Sequence, residues 1–170
     1  EIARAFSRYG APPEAAGPLE PVDVGAVIRE ALTLYRSDTA VRFNAEVEAD
    51  VPRALARAGE LKEVILNLLE NAYSALDGSG TVVVSARRTG EWVELTVEDD
   101  GPGIPPELIE RVFEPHFSTR SAGTGLGLAI VRRLVEGWGG TLTAESEVGQ
   151  GTTIRVRLAV APEPIAASGS

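Results

Sequence analysis

Two pairs of alternating apolar runs, each joined by a short turn, most narrowly limit how this chain can fold. "TVVVSARR" (81–88) and "EWVELTVE" (91–98) meet through Thr89-Gly90, and "TLTAESE" (141–147) and "TTIRVRLAV" (152–160) meet through "VGQG". A period of two buries one face of each strand, and Gly-containing turns of this length close antiparallel hairpins. Val41, Phe43, Ala45 and Val47 alternate in the same way and predict a further half-buried strand.

The helices come in blocks between these strands. Asp23 is a predicted N-cap, followed by Val24, Val27, Ile28, Ala31, Leu32 and Tyr35 at helical spacing. A strong helix is predicted over about Glu60–Leu76, a short one in "PELIERVF", and another over about Leu126–Trp138 that stops at Gly139-Gly140. Hairpins with blocks of helices imply an α+β fold: a two-layer sandwich with a mixed, mostly antiparallel sheet and helices on one face. "DGPGIPP" follows a strand but lacks the third glycine of a dinucleotide-binding turn and has Pro105-Pro106 where a helix should pack.

At 170 residues the chain fits one core. It has no cysteine and one histidine, which excludes disulfides and any multi-histidine metal site within it. A net charge of −9 argues against a nucleic-acid partner. An anionic ligand would need local donors: glycine amides, helix N-termini and a few arginines.

Three stretches carry candidate chemistry. On "ELKEVILNLLENAYSAL", Leu61, Val64, Ile65, Leu68, Leu69, Ala72 and Leu76 form an apolar face. Glu60, Glu63, Asn67, Glu70, Asn71 and Ser74 form the opposite, polar one. Asn67 and Asn71 stand one turn apart although asparagine is a poor helix former, and an amide oxygen can ligate Mg²⁺ without repelling phosphate. "EDDGPGIPP" places Asp99 and Asp100 at the mouth of a strand, before a backbone that Gly101 and Gly103 allow to bend. In "FEPHFSTRSAGTGLGLAIVRRL", Gly123, Gly125 and Gly127 precede a helix and make an anion site, with Arg120 in reach of a terminal phosphate.

In chain order, "NLLENA", "DDGPGI", "FEPHF", "GTGLGL" and "GQGT" resemble the N, G1, F, G2 and final glycine boxes of the ATP-binding catalytic domain of sensor histidine kinases. That domain has the Bergerat (GHKL) fold shared with DNA gyrase B, Hsp90 and MutL. The resemblance covers about Val22–Leu158, and "FEPHFSTR" looks most like the nitrogen-regulation kinases. It implies ATP and Mg²⁺ as cofactors. Asp99 would accept the adenine amine, with Gly101, Gly103 and Ile104 close to the purine and Thr152 near it. Asn71 would hold Mg²⁺, supported by Asn67. Phe113 and Phe117 would anchor a lid in which Thr119, Arg120, Gly123, Thr124, Gly125, Leu126 and Gly127 wrap the phosphates. His116 is expected to pack within that lid and not to accept a phosphoryl group.

Two departures stand out. Ser74 occupies a place where many members carry Lys or Arg, and Arg120 replaces the commoner lysine. Lys62, the chain's one lysine, lies on the far side of its helix. Hydrolytic members place a glutamate four residues before the metal-binding Asn; here that residue is Asn67, which cannot take a proton from water.

The resemblance therefore implies a protein-histidine kinase domain that positions Mg-ATP for γ-phosphoryl transfer. The acceptor would be a histidine on a dimerisation domain of the same protein, and phosphate would pass on to a response regulator. Residues 1–10 would end a dimerisation-domain helix, 11–21 form a Pro/Gly/Ala linker, 22–160 the catalytic domain and 161–170 a disordered tail. The expected location is cytoplasmic, with a monomeric fragment and a homodimeric parent; any membrane anchor of the parent would lie in a region upstream, and whether it has one is left open by the sequence. Competing readings are an anti-sigma-factor serine kinase of the same superfamily, which tends to keep a glutamate at the Asn67 position, and a degenerate nucleotide-binding docking module.

Overall fold

The computed structural model describes residues 17–35, 40–115, 117 and 127–162. The elements in order are β1 (Glu20–Val22), α1 (Val24–Leu32), a 3-10 turn (Thr33–Tyr35), β2 (Ala40–Val47), β3 (Ala54–Ala56), α2 (Ala58–Leu76), β4 (Ser79–Thr89), β5 (Trp92–Asp99), α3 (Pro106–Ile109), α4 (Gly127–Gly137), β6 (Thr141–Glu147) and β7 (Gly151–Ala159). The main sheet runs β2-β4-β5-β7-β6. β2 and β4 pair in parallel; every other neighbouring pair is antiparallel. The parallel pair follows from the crossover: β3 and α2 lie between β2 and β4 in the chain.

The expected α+β sandwich, with its mixed and mostly antiparallel sheet, is the observed architecture. Both hairpins fall where the alternation puts them, and Asp23 caps α1 by accepting from the Ala26 N–H at 3.1 Å. Val82, Val84 and Ala86 on β4, Val93, Leu95 and Val97 on β5, and Ile154, Val156 and Leu158 on β7 are all buried. They form the core with the Leu61–Leu76 stripe of α2 and with Ile130, Val131, Leu134 and Val135 of α4. α2 packs against α1, α4, β4 and β5 and is the central helix of the layer.

Several details depart from expectation. Glu20 and Pro21, read as linker, belong to β1, which pairs antiparallel with β3 in a separate two-stranded sheet. Regular helix in "PELIERVF" ends at Ile109, after which the chain continues as turns. Glu60, expected on a solvated face, is buried: Trp138 Nε1 donates to its Oε1 at 2.8 Å, and Arg57 Nη1 reaches the same oxygen at 2.9 Å. A buried carboxylate is tolerated only when paired in this way.

The open face of the sheet carries a second buried acid. Glu94 accepts from Arg87 on β4 and Arg157 on β7, with Arg155 at 3.6 Å. Burial pushes its carboxyl up, but the hydrogen bonds from Arg87 and Arg157 outweigh burial and hold it below the usual carboxylate range. Among the described residues no helix is long and apolar enough to cross a membrane.

Candidate functional site

The inward parity of β5 runs Val93, Leu95, Val97 and then Asp99. The last inward position is therefore a carboxylate, and it is only 4% exposed. Burial of an acid at a strand end needs a polar reason. One part of it is local: the Gly101 N–H donates to Asp99 Oδ1 at 2.9 Å. Asp99 pairs across the strands with Thr152 of β7, which is also buried, and Thr152 pairs in turn with Ser146 of β6. Three polar side chains thus cross three neighbouring strands on the helix-covered side. Asp100 has the opposite parity, is exposed, and accepts from the Thr81 N–H at 2.9 Å.

The loop after β5 is clamped by close backbone approach. Gly103 has φ +80, and a Cβ there would lie 2.3 Å from the Glu147 carbonyl oxygen. Gly151 has φ +132, and a Cβ there would lie 2.0 Å from the Asp99 carbonyl oxygen. Only glycine meets both demands. The loop is also tied to the β6–β7 hairpin by the Ile104 N–H donating to Ser146 Oγ and the Gly149 N–H donating to the Pro102 carbonyl, both at 2.7 Å.

The same loop rests on α2. A Cβ on Gly101 would lie 3.1 Å from the Ala75 carbonyl oxygen. Ala75 is one turn beyond Asn71 on the same side of the helix. Asn71 is half-buried and has polar partners. Asn67 donates from Nδ2 to the Glu63 carbonyl at 3.0 Å, which leaves its amide oxygen turned towards the start of α4. A Cβ on Gly127 would lie 3.2 Å from that oxygen. Glu70, beside Asn71, is engaged elsewhere: its two oxygens accept from Tyr35 at 3.0 Å and Ser74 at 3.3 Å. Burial, with the Glu70 carboxylate beside it, holds the Tyr35 phenol well above its ordinary range.

Asp99, Gly101, Gly103, Ile104 and Thr152 thus belong to one linked cluster at the end of β5, which rests on α2 at Ala75, one turn beyond Asn71, while Asn67 of the same helix meets Gly127. Phe113 packs against the core, and Phe117 lies under the Arg111 guanidinium at 4.8 Å. Thr119, Arg120, Gly123, Thr124, Gly125 and Leu126, with His116, lie outside the described residues. Sequence reasoning missed Ser146; its signal was a hydroxyl at an inward position of "TLTAESE" just before a glycine turn. A groove of about 440 Å³, lined by Glu46, Ser85, Arg87, Glu94 and Arg155 among others, belongs to the open face, away from Asp99.

Residues 56–162 match a family profile described as "Histidine kinase-, DNA gyrase B-, and HSP90-like ATPase". The chain belongs to that ATPase family. Among its relatives is the sensor histidine kinase ZraS of Escherichia coli (strain K12), 36% identical over 147 residues. That match covers 84% of this chain but 31% of the relative, so the chain spans about a third of that protein. The sensory histidine kinase/phosphatase NtrB of Rhodobacter capsulatus is 36% identical over 173 residues, covering 91% of this chain and 46% of the relative. This similarity to a nitrogen-regulation kinase accords with the resemblance carried by "FEPHFSTR".

Among solved structures, the mycobacterial sensor histidine kinase MprB superposes with a TM-score of 0.76 at 32% identity, over 85% of this chain and 99% of that one. The histidine kinase ThkA, solved in complex with the response regulator protein TrrA, gives a TM-score of 0.73 at 26% identity, over 85% of this chain and 42% of that one. The alternation of strands and the five boxes therefore led to the correct ATPase family.

Proposed function

We propose that this chain is the ATP-binding catalytic domain of a sensor histidine kinase, holding Mg-ATP for transfer of the γ-phosphoryl group to a histidine on a separate dimerisation domain. One observation carries the reading. The buried Asp99 carboxylate sits on a glycine loop that packs on α2 one turn from Asn71, so an adenine acceptor and a phosphate-end amide share one end of the fold. A carboxylate can accept from the adenine amine but would face the guanine keto oxygen unpaired, which favours adenine.

The donor set fits Mg²⁺. It offers the amide oxygens of Asn67 and Asn71, and among the described residues no cluster of acids or histidines competes for a metal. Mg²⁺ takes one or two protein oxygens and fills its shell with water and phosphate. When bound it would neutralise charge on the polyphosphate. Asn67 cannot act as a base, and the carboxylate of Glu70 is held by Tyr35 and Ser74. The chain's own residues therefore orient ATP without activating water, which suits transfer to another side chain better than hydrolysis. Arg120 in the lid would supply charge to the γ-phosphate.

The parent protein would be a homodimer through its dimerisation domain and would pass phosphate to a response regulator, the class of partner named with ThkA. The test is radiolabelled ATP with this chain, alone and with a purified histidine-bearing dimerisation domain. Label should appear on the added domain and not on this chain. Robust self-labelling, or no transfer while ATP is bound, would contradict the proposal.

A further inference from the structure

Ser146 belongs to none of the boxes that carry the family resemblance, yet its hydroxyl joins the glycine loop after β5 to the start of β7. Its Oγ accepts from the Ile104 N–H at 2.7 Å, donates to the Gly151 carbonyl at 2.9 Å, and lies 2.8 Å from Thr152 Oγ1. A serine hydroxyl has one proton and two lone pairs. With its proton on Gly151 and one lone pair taken by Ile104, it can meet Thr152 only as an acceptor. In that arrangement the Thr152 proton goes to Ser146, and the remaining capacity of Thr152 Oγ1 is that of an acceptor. Asp99, its cross-strand neighbour, offers carboxylate oxygens.

We infer that Ser146 is a specificity-determining positioning residue, which fixes Thr152 as an acceptor beside Asp99 so that the site takes a 6-amino purine and rejects a 6-keto one. An unconstrained threonine hydroxyl could rotate and donate to a keto oxygen; one whose proton is already committed cannot. Two fixed acceptors match an exocyclic amine, which has two protons to give. The inference rests on the ATP-binding reading and adds the source of its base selectivity.

The experiment compares dissociation constants for ATP and inosine triphosphate by calorimetry, with a thermal melt of each variant. Inosine triphosphate carries the keto oxygen and a protonated N1 but no 2-amino group, so it differs from ATP only along the 1,6 edge of the purine, and the variants report the part of that difference that passes through Thr152. The wild-type chain should favour ATP. Ser146→Ala should lower the ATP preference about tenfold, because the threonine proton is released. Ser146→Thr, which keeps the hydroxyl, should retain the preference. Thr152→Val should lower it as well, and decides the matter if Ser146→Ala does not fold. A merely structural role for Ser146 would weaken both nucleotides alike; an unchanged ratio in Ser146→Ala or in Thr152→Val overturns the inference. A wild-type chain that binds ATP but prefers it no more than inosine triphosphate also overturns it and leaves the ATP reading standing. A wild-type chain that binds neither removes both.

Discussion

Trp138→Phe is the most informative perturbation of the helix layer, because it removes one donor from a buried carboxylate and leaves the ring face largely in place. Trp138 follows α4, Glu60 lies in the first turn of α2, and both are buried. Arg57, the second donor to Glu60, also reaches the Gly17 carbonyl through Nε at 2.8 Å. The cluster therefore pins the far end of α4 while Gly127, at its near end, lies against Asn67. A hydrogen bond to a charged group contributes about 1.5–3 kcal/mol, and the volume lost from indole to phenyl adds to that. Urea unfolding followed by circular dichroism should show a midpoint about 1 M lower than wild type, given the slope expected at this size. A double-mutant cycle with Glu60→Ala separates the contact from the cavity, and its coupling energy should be about 2 kcal/mol. A coupling below roughly 0.5 kcal/mol would refute the claim that indole and carboxylate stabilise one another.

Gly151→Ala should destabilise the chain by at least about 2 kcal/mol and abolish nucleotide binding, because the new methyl meets the Asp99 backbone at a positive φ. Wild-type stability in that variant would mean the strand approach is not as described. Glu94 has its carboxyl held below the ordinary value of 4.5, so the stability its charge contributes is present above that value and is lost as pH falls through the lower, folded one. Stability measured by urea from about pH 7 to pH 3 should fall less steeply in Glu94→Gln than in wild type; parallel curves would contradict this.

Much of the fold was legible because it is local. Hairpin turns, the Asp23 cap and the α2 stripe are each written within a few residues of one another, and Asp99 stood out because it lies in a short acid-glycine stretch that matches one of the family boxes. What escaped the sequence depends on distant partners. β1 and β3 are too short to show a period, and their pairing is settled by register between segments far apart in the chain. The parallel pairing of β2 with β4 leaves no local signature, since a crossover separates them. Glu60 reads as a surface acid until Trp138 arrives 78 residues later. Ser146 is one hydroxyl among several until the glycine loop docks on it.

The central claim is that the Asp99 carboxylate grips the adenine of a nucleotide held at the C-terminal half of α2. Calorimetry with ATP and Mg²⁺ on wild type and Asp99→Asn measures it directly. Asparagine keeps an oxygen for the Gly101 N–H but loses the charge, so affinity should fall roughly 10- to 100-fold with the melting temperature little changed. Equal affinity in the two proteins, or no ATP binding by wild type, would contradict the account.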